Sequence, residues 1–148
     1  MNQQDDLKLI DNLTSELYKA ICFNVGGNPP VEGLRELFIP TANMVRNDGD
    51  SSEIMTVNNF IKSYKERITD GVIKSFYEGE LNDITEIFGT IAHRFSTYET
   101  KFDLDNSEPF SIGINSIQFI KIKNNWKISS IVWNNQNDEL RIPDKYLR

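Results

Sequence analysis

The stretch that decides the fold is TIAHRFSTYETKFDLDNSEPFSIGINSIQFIKIKNNWKISSIVWNNQ, residues 90–136. It contains three runs rich in isoleucine, valine, phenylalanine, threonine and tryptophan, the residues that suit a pleated, half-buried strand. We therefore predict strands over Thr90–Lys101, Ser111–Ile122 and Trp126–Asn134. The last two are separated by the polar break Lys123–Asn125, which predicts a tight hairpin.

Helical periodicity marks three segments before this stretch. Leucines and isoleucines recur at spacings of three and four between Leu7 and Ile21, which gives one apolar stripe. Glycine pairs and aspartate–glycine pairs then supply helix ends, because glycine adopts the left-handed conformation of a helix C-terminus. We predict helices over Gln4–Phe23 and Pro30–Leu37, and a third that starts after Thr56 and ends at Asp70–Gly71.

The remaining segments read as strands and loops. We predict strands over Phe38–Arg46 and Val72–Phe88, the second bulged at Gly79–Asn82 where the alternation breaks down, and loops over Asn47–Ser52 and Asp103–Pro109. Apolar residues in the tail Asn137–Arg148 predict that it packs against the body. The order predicts a single α+β domain over residues 1–148, with three N-terminal helices packed on a curved antiparallel sheet.

Composition excludes several classes of function. The net charge of −6 with scattered basic residues argues against nucleic acid, which requires clustered lysine and arginine. The N-terminal residues do not resemble a secretory signal, and no apolar run is long enough to span a membrane. One cysteine and one histidine do not make a zinc site or an internal disulfide, so we expect a cytoplasmic protein without a metal. No phosphate-binding or nucleophile motif appears, and we expect no cofactor.

Four segments carry a resemblance to a known superfamily. They are LRELF at Leu34–Phe38 with the following Ile39–Val45, IAHRFSTYE at Ile91–Glu99, GINSIQ at Gly113–Gln118 and WKISSIVW at Trp126–Trp133. They resemble the SnoaL-like branch of the NTF2-like superfamily, and the resemblance covers nearly the whole chain. It implies a cone-shaped, cystatin-like fold and a homodimer formed through the outer sheet face. Members include ketosteroid isomerase, scytalone dehydratase, epoxide hydrolases, polyketide cyclases and non-catalytic binding domains, so the fold alone implies no reaction.

His93 is the first candidate for acid–base chemistry, since its unperturbed pKa lies nearest neutrality. On a strand it shares one face with Phe95 and Glu99, while Arg94 and Ser96 share the other. If the His93 face lines the cone, desolvation favours the neutral imidazole of a general base or a hydrogen-bond donor to a carbonyl. The alternative is a structural histidine or one at a dimer surface.

Tyr18 is the second candidate. The resemblance places Tyr18 where ketosteroid isomerase keeps its oxyanion-stabilising tyrosine. The position of the isomerase's general base, however, corresponds to Asn47 or Asp48, of which the first is an amide and the second an exposed turn residue. Scytalone dehydratase pairs His with Asp and tyrosines; His93, Tyr18 and Tyr64 supply part of that set. The alternative for Tyr18 is a place at the core edge with its hydroxyl bound to a backbone group.

Three functions remain open on the sequence. The first is binding of a small, largely apolar molecule in the cone, with Phe95, Gln118, Trp133 and Tyr64 as lining residues; core packing explains Trp133 equally well. The second is an acid–base isomerase, dehydratase or polyketide cyclase-like enzyme that uses His93 and Tyr18. The third is a dimerising module whose cone is filled by Phe and Tyr side chains. We take the first as our prediction.

Overall fold

The computed structural model describes residues 2–102 and 109–148. The helices are α1 (Gln3–Lys19), α2 (Leu34–Leu37, preceded by a 3-10 turn at Val31–Gly33) and α3 (Val57–Thr69), and a last 3-10 turn covers Asp144–Tyr146. The strands are β1 (Phe38–Asn47), β2 (Ser52–Thr56), β3 (Tyr77–Phe88), β4 (Ile91–Lys101), β5 (Ser111–Ile122) and β6 (Asn125–Asn135). Most of the loop predicted over Asp103–Pro109 lies outside the described residues.

The strands form one curved sheet in the order β2-β1-β6-β5-β4-β3. All neighbours are antiparallel except β1 and β6, which run parallel. The β1–β6 register shifts between Phe38 and Asn43. Pro40 lies in this interval and has no N–H to give to the ladder. The predicted α+β architecture is confirmed, with the parallel pair and the short strand β2 as additions to it.

Local turn chemistry explains where the elements end. Lys123 and Asn124 both have positive φ (49° and 67°), so they form the two-residue turn that suits the twist of a β-hairpin. Helix α1 ends before the predicted Phe23, because Phe23 and Phe76 exchange backbone hydrogen bonds of 2.9 and 3.0 Å in an isolated bridge. β3 begins later than predicted, since the N–H groups of Val72 and Ile73 bond back to the carbonyl of Arg67 and close α3.

The core lies between the helices and the concave face of the sheet. Ile10 and Leu17 of α1 are buried, as the apolar stripe predicts. The sheet contributes buried side chains from its middle strands: Phe38, Met44, Ala92, Ile117, Phe119, Trp126, Ile128 and Ile131. The C-terminal tail packs on the opposite, convex face, where the rings of Tyr146 and Phe95 lie 5.5 Å apart. The predicted packing of the tail is thereby confirmed.

A polar clasp ties the start of α1 to the β5–β6 hairpin. The Asp6 carboxylate accepts hydrogen bonds of 2.9 Å from both the Trp126 indole and the Lys121 ammonium. The Lys121 nitrogen also lies 5.4 Å from the centre of the Trp126 ring. The hydrogen bond from Trp126 and the charge of Lys121 lower the pKa of Asp6. The clasp therefore requires an ionised carboxylate.

We expect Asp6→Asn to lower the melting temperature at pH 7, because the amide keeps the shape but not the charge. A carboxyl group whose pKa is lowered by folding stabilises the fold at pH values above its unfolded-state pKa of about 3.9. This stabilisation is lost as the pH falls through the folded-state pKa. The difference between wild type and Asp6→Asn should therefore shrink as the pH falls below 3.8. Thermal denaturation from pH 7 to pH 3 measures this, with Asp5→Asn in the same helical turn as the control. Equal effects of the two substitutions at pH 7 contradict the clasp.

Candidate functional site

A cleft of about 630 Å³ opens between α1 and the strands β3 and β4. Helix α1 and the turn after it form one wall, and the inward side chains of the strands form the other. The lining residues are Asp11, Thr14, Ser15, Tyr18, Lys19, Cys22, Tyr77, Glu78, Gly79, Glu80, Asp83 and Arg94. The volume falls in the range of sites for small molecules. This cleft is the candidate site.

A β-bulge aims the acidic side chains of β3 into the cleft. Glu80 pairs with Tyr98 of β4, and Asn82 pairs with the very next residue, Thr97, so Leu81 is extra. Side chains alternate along a strand, and one extra residue shifts the alternation by one. Glu80 before the bulge and Asp83 after it therefore face α1 together. The sequence predicts this bulge correctly, but not the direction of the side chains around it.

Tyr18 lies at the bottom of the cleft in a directed chain of hydrogen bonds. Asn115 Nδ2 donates to the Tyr18 hydroxyl over 3.0 Å, and that hydroxyl lies 2.6 Å from Ser96 Oγ. Ser96 donates its own proton to the carboxylate of Glu80. Because Ser96 has one proton, Tyr18 is the donor in the contact between them. Burial raises the pKa of Tyr18, so the hydroxyl stays neutral and its proton points to Ser96.

Arg94 holds the acidic groups of the cleft together. Its side chain is 1% exposed, and its Nε donates to Thr85 Oγ1 over 2.7 Å. Nη1 lies 3.4 Å from a Glu80 oxygen, while Nη2 contacts Asp11 and lies 3.3 Å from Asp83. Each guanidinium nitrogen thus already faces an acceptor. Arg94 is a structural centre of the cleft, and its side chain is almost fully buried among these partners.

Among the carboxylic acids of the cleft, Glu78 has the pKa that lies furthest from its ordinary value. Desolvation by burial raises its pKa to about 8. Its backbone is held by Cys22, whose thiol donates to the Glu78 carbonyl and accepts from the Glu78 N–H, each over 3.4 Å. Among residues 2–102 and 109–148, none donates a hydrogen bond to its carboxylate. Glu78 is therefore an acid that is mostly protonated at pH 7, ionises near pH 8 and is free to meet a ligand.

His93 lies on the convex face of the sheet, away from the cleft. Its side chain is 55% exposed, and its Nε2 lies 2.8 Å from a Glu86 carboxylate oxygen. Its strand neighbours Phe95 and Gln118 are exposed on the same face. The orientation that we predicted for these three residues is wrong, because the other face of β4, with Ala92, Arg94 and Ser96, meets the helices. A general base would need its imidazole to face the cleft, and the imidazole of His93 faces away from it.

Tyr64 and Trp133 lie inside the fold but outside the cleft. Tyr64 is buried, donates to the carbonyl of Ile21 over 2.5 Å and stacks on Phe60. Trp133 lines a second hollow of about 120 Å³ together with Arg46 and residues 134–137. Aromatic side chains thus fill one end of the cone, whereas the hypothesis of a dimerising module predicts a cone filled throughout by Phe and Tyr. The cleft at α1 stays open. Of the six predicted site residues, Tyr18 alone lines it.

The sequence did not predict five of the site residues: Glu78, Glu80, Arg94, Ser96 and Asn115. The available signal was the run of polar residues at every second position of β4, from Arg94 to Thr100, beside the predicted bulge in β3. Among the described residues, no three His, Cys, Asp or Glu side chains are placed to hold a metal ion. In the same part of the chain, every helix is too short or too polar to cross a membrane.

Solved structures share this arrangement of helices and sheet. A protein of unknown function from Nostoc punctiforme with a cystatin-like fold superposes with a TM-score of 0.70 at 11% identity, over 93% of this chain and 96% of its own. An NTF2-like protein from Cytophaga hutchinsonii gives 0.67 at 20% identity, over 92% and 100%. A Novosphingobium aromaticivorans protein, provisionally named a scytalone dehydratase, gives 0.66 at 13% identity, over 95% and 91%.

Neither a protein-family model nor a curated protein matches the sequence. At identities this low, similarity to solved structures establishes the arrangement of the chain and leaves its chemistry open. The superpositions cover more than nine tenths of this chain. The chain therefore has the NTF2-like, or cystatin-like, fold.

Proposed function

We propose that the protein binds a small organic molecule in the cleft between α1 and the strands β3 and β4. The observation that carries this proposal is the cleft itself, about 630 Å³ in volume and lined by convergent polar groups. The ring of Tyr18 and the side chains of Thr14 and Cys22 offer apolar surface to the body of a ligand. The ordered chain from Asn115 to Glu80 supplies fixed polar groups to orient it.

Acid–base catalysis is the second candidate, and one observation favours it. A carboxyl whose pKa is about 8 exchanges its proton readily at neutral pH, which is what a general acid or base requires. Glu78 therefore takes the role that the sequence suggested for His93, in the same cleft as Tyr18. The provisional name of the Novosphingobium protein refers to a dehydratase, a class of enzyme that uses such chemistry.

A cleft-blocking substitution tests the binding function. We expect members of a library of aromatic and alicyclic fragments to shift the backbone amide signals of Tyr18, Glu78 and Arg94 in ¹H–¹⁵N NMR spectra. Ser15 lines the cleft with an exposed side chain on α1, so Ser15→Trp should fill the cleft and abolish these shifts. Lys8→Trp places the same ring on an exposed position of the same helix, outside the cleft, and should leave binding unchanged.

The binding function is rejected if no fragment moves the cleft signals, or if Ser15→Trp and Lys8→Trp bind the hits equally well. Turnover is a separate question. If the second candidate holds, Glu78→Gln should abolish any activity found on a bound neutral hit while binding of that hit persists.

Assembly and location are further parts of the proposal. The convex face carries the exposed side chains of Ile84, Phe88 and Ile91, which supports a homodimer formed through this face. Light scattering coupled to size exclusion measures the mass of the assembly, and a mass of 17.1 kDa contradicts the dimer. The single cysteine, Cys22, suits a reducing cytoplasm, and the net charge of −6 disfavours nucleic acid as a partner.

A further inference from the structure

We propose that the ligand of the cleft carries a cationic amine, and that its ammonium group binds at the carboxylate of Glu78. This inference rests on the proposed binding function and names the chemical class of the ligand. It follows from the balance of charges in the cleft and from which of those charges already have partners.

Negative charge exceeds positive charge in the lining. Four carboxylates, those of Asp11, Glu78, Glu80 and Asp83, face two cations, Arg94 and Lys19. The guanidinium nitrogens of Arg94 contact the other three carboxylates and Thr85. Lys19 is 70% exposed and lies 3.9 Å from Glu16 at the rim. Glu78 is thus left without a cationic partner among residues 2–102 and 109–148.

An anionic ligand does not fit this arrangement. A carboxylate or phosphate needs donors, and the guanidinium of Arg94 is 1% exposed and already surrounded by three carboxylates. The anion would also lie beside Glu78, Glu80 and Asp83, and like charges repel strongly in a partly desolvated cleft. A neutral ligand would bury Glu78 further and keep it protonated, so it would gain no charge pairing from this residue.

An ammonium group satisfies the cleft where the other classes do not. It donates three hydrogen bonds, which the Glu78 carboxylate accepts. The ring of Tyr18 lines the same cleft, and aromatic faces attract cations. The contacts between the Cys22 thiol and the backbone of Glu78 hold this part of β3 against the end of α1.

The pKa values of the carboxyl groups in the cleft agree with a shortage of positive charge there. Burial raises the pKa of Glu78 to about 8 and also raises the pKa of Glu80. The charge of Glu78 acts on Tyr18 and Cys22 from the α1 side, Tyr64 from α3 and Tyr98 from β4. The other titratable or charged residues of the lining are Asp11, Lys19, Tyr77, Glu80, Asp83 and Arg94. Burial raises the pKa of the tyrosines and of Cys22, so they stay neutral through pH 8.

A dependence of binding on pH follows from this. An ammonium favours the ionised carboxylate, so below pH 8 its binding must displace a proton from Glu78. We therefore expect the affinity for an amine to rise about tenfold from pH 6 to pH 7 and to level off above pH 8. A neutral analogue of the same shape should show no such rise.

The test uses three probes with one shared ring: phenethylamine, 2-phenylethanol and 3-phenylpropionate. Titrations of the full chain followed by ¹H–¹⁵N NMR give the affinity of each at pH 6, 7 and 8. We expect phenethylamine to bind at least tenfold more tightly than 2-phenylethanol at pH 8, and 3-phenylpropionate to bind most weakly. Glu78→Gln should remove the advantage of the amine, while Glu53→Gln, an exposed position on β2, should keep it.

Several results would overturn the inference. If the alcohol or the acid shifts the cleft signals as strongly as the amine, the ligand class is wrong and the binding function stands. If none of the three binds, the amine proposal also fails, and the fragment screen with Ser15→Trp then decides the binding function separately. If Glu78→Gln does not fold, the pH dependence of the wild-type protein decides, and an affinity for phenethylamine that is flat from pH 6 to pH 8 contradicts the proposal.

Discussion

Replacement of Arg94 by methionine lowers the free energy of unfolding by about 3 kcal/mol, the low end of the cost of breaking a buried ion pair. Methionine keeps the hydrophobic stem and removes the guanidinium that faces Asp11, Glu80 and Asp83. Those three carboxylates then repel one another across the cleft. We place the effect at the low end because they are partly exposed and regain water.

Chemical denaturation at pH 7 measures the loss, with Arg141→Met as the matched control. Arg141 is exposed in the C-terminal tail, so its substitution should change stability by less than about 0.5 kcal/mol. The deficit of Arg94→Met should also shrink in acid, because burial raises the pKa of Glu80 and its protonation removes one of the repelling charges. A deficit as small as that of Arg141→Met would show that the buried arginine does not hold the cleft together.

Truncation of Phe119 to alanine has the largest effect we expect, a loss of about 3–5 kcal/mol. Phe119 is 1% exposed at the centre of the concave face and packs in the core formed by the sheet and the helices. The substitution removes most of a buried ring and leaves a cavity that the surrounding side chains fill only in part. In a chain of this length, a loss of 3–5 kcal/mol corresponds to a fall in melting temperature of roughly 10 °C.

Phe88→Ala is the control for this prediction. Phe88 belongs to the same sheet, but its side chain is 83% exposed near the β3–β4 turn. We expect a change below about 0.5 kcal/mol in the isolated chain, because little apolar surface is lost from the core. Calorimetry on both variants gives the comparison. Similar melting temperatures for the two would place the core elsewhere.

The sequence predicted most of the fold because its signals are local. The hairpin at Lys123 and Asn124 depends on two residues with positive φ, and the third helix on the Thr56 side chain, which accepts a hydrogen bond from the Asn59 N–H. Both features act within four residues. The strand β2 and the late start of β3 were missed because they depend on partners far along the chain.

The candidate site was predicted poorly, for a reason visible in β4. Its two faces carry similar numbers of apolar residues, so alternation separates the faces without telling which one meets the helices. A buried strand face that carries Arg94 and Ser96 resembles a solvent face in sequence. The partners that make this burial favourable, Asp11 and Tyr18 on α1 and Glu80 and Asp83 on β3, lie 11 to 83 positions away along the chain.

The sequence by itself determined the helices, the strands, the hairpin and the bulge of this protein, since periodicity and turn residues encode them locally. Only the tertiary structure decided which face of β4 is concave, and so placed His93 outside and Arg94 inside. The bulge at Leu81 then brought Glu80 and Asp83 to one side, and the end of α1 brought Tyr18 and Cys22 to Glu78. The physical reason is that a buried charge is stable only beside its partners, and pairing across the fold decides where those partners lie.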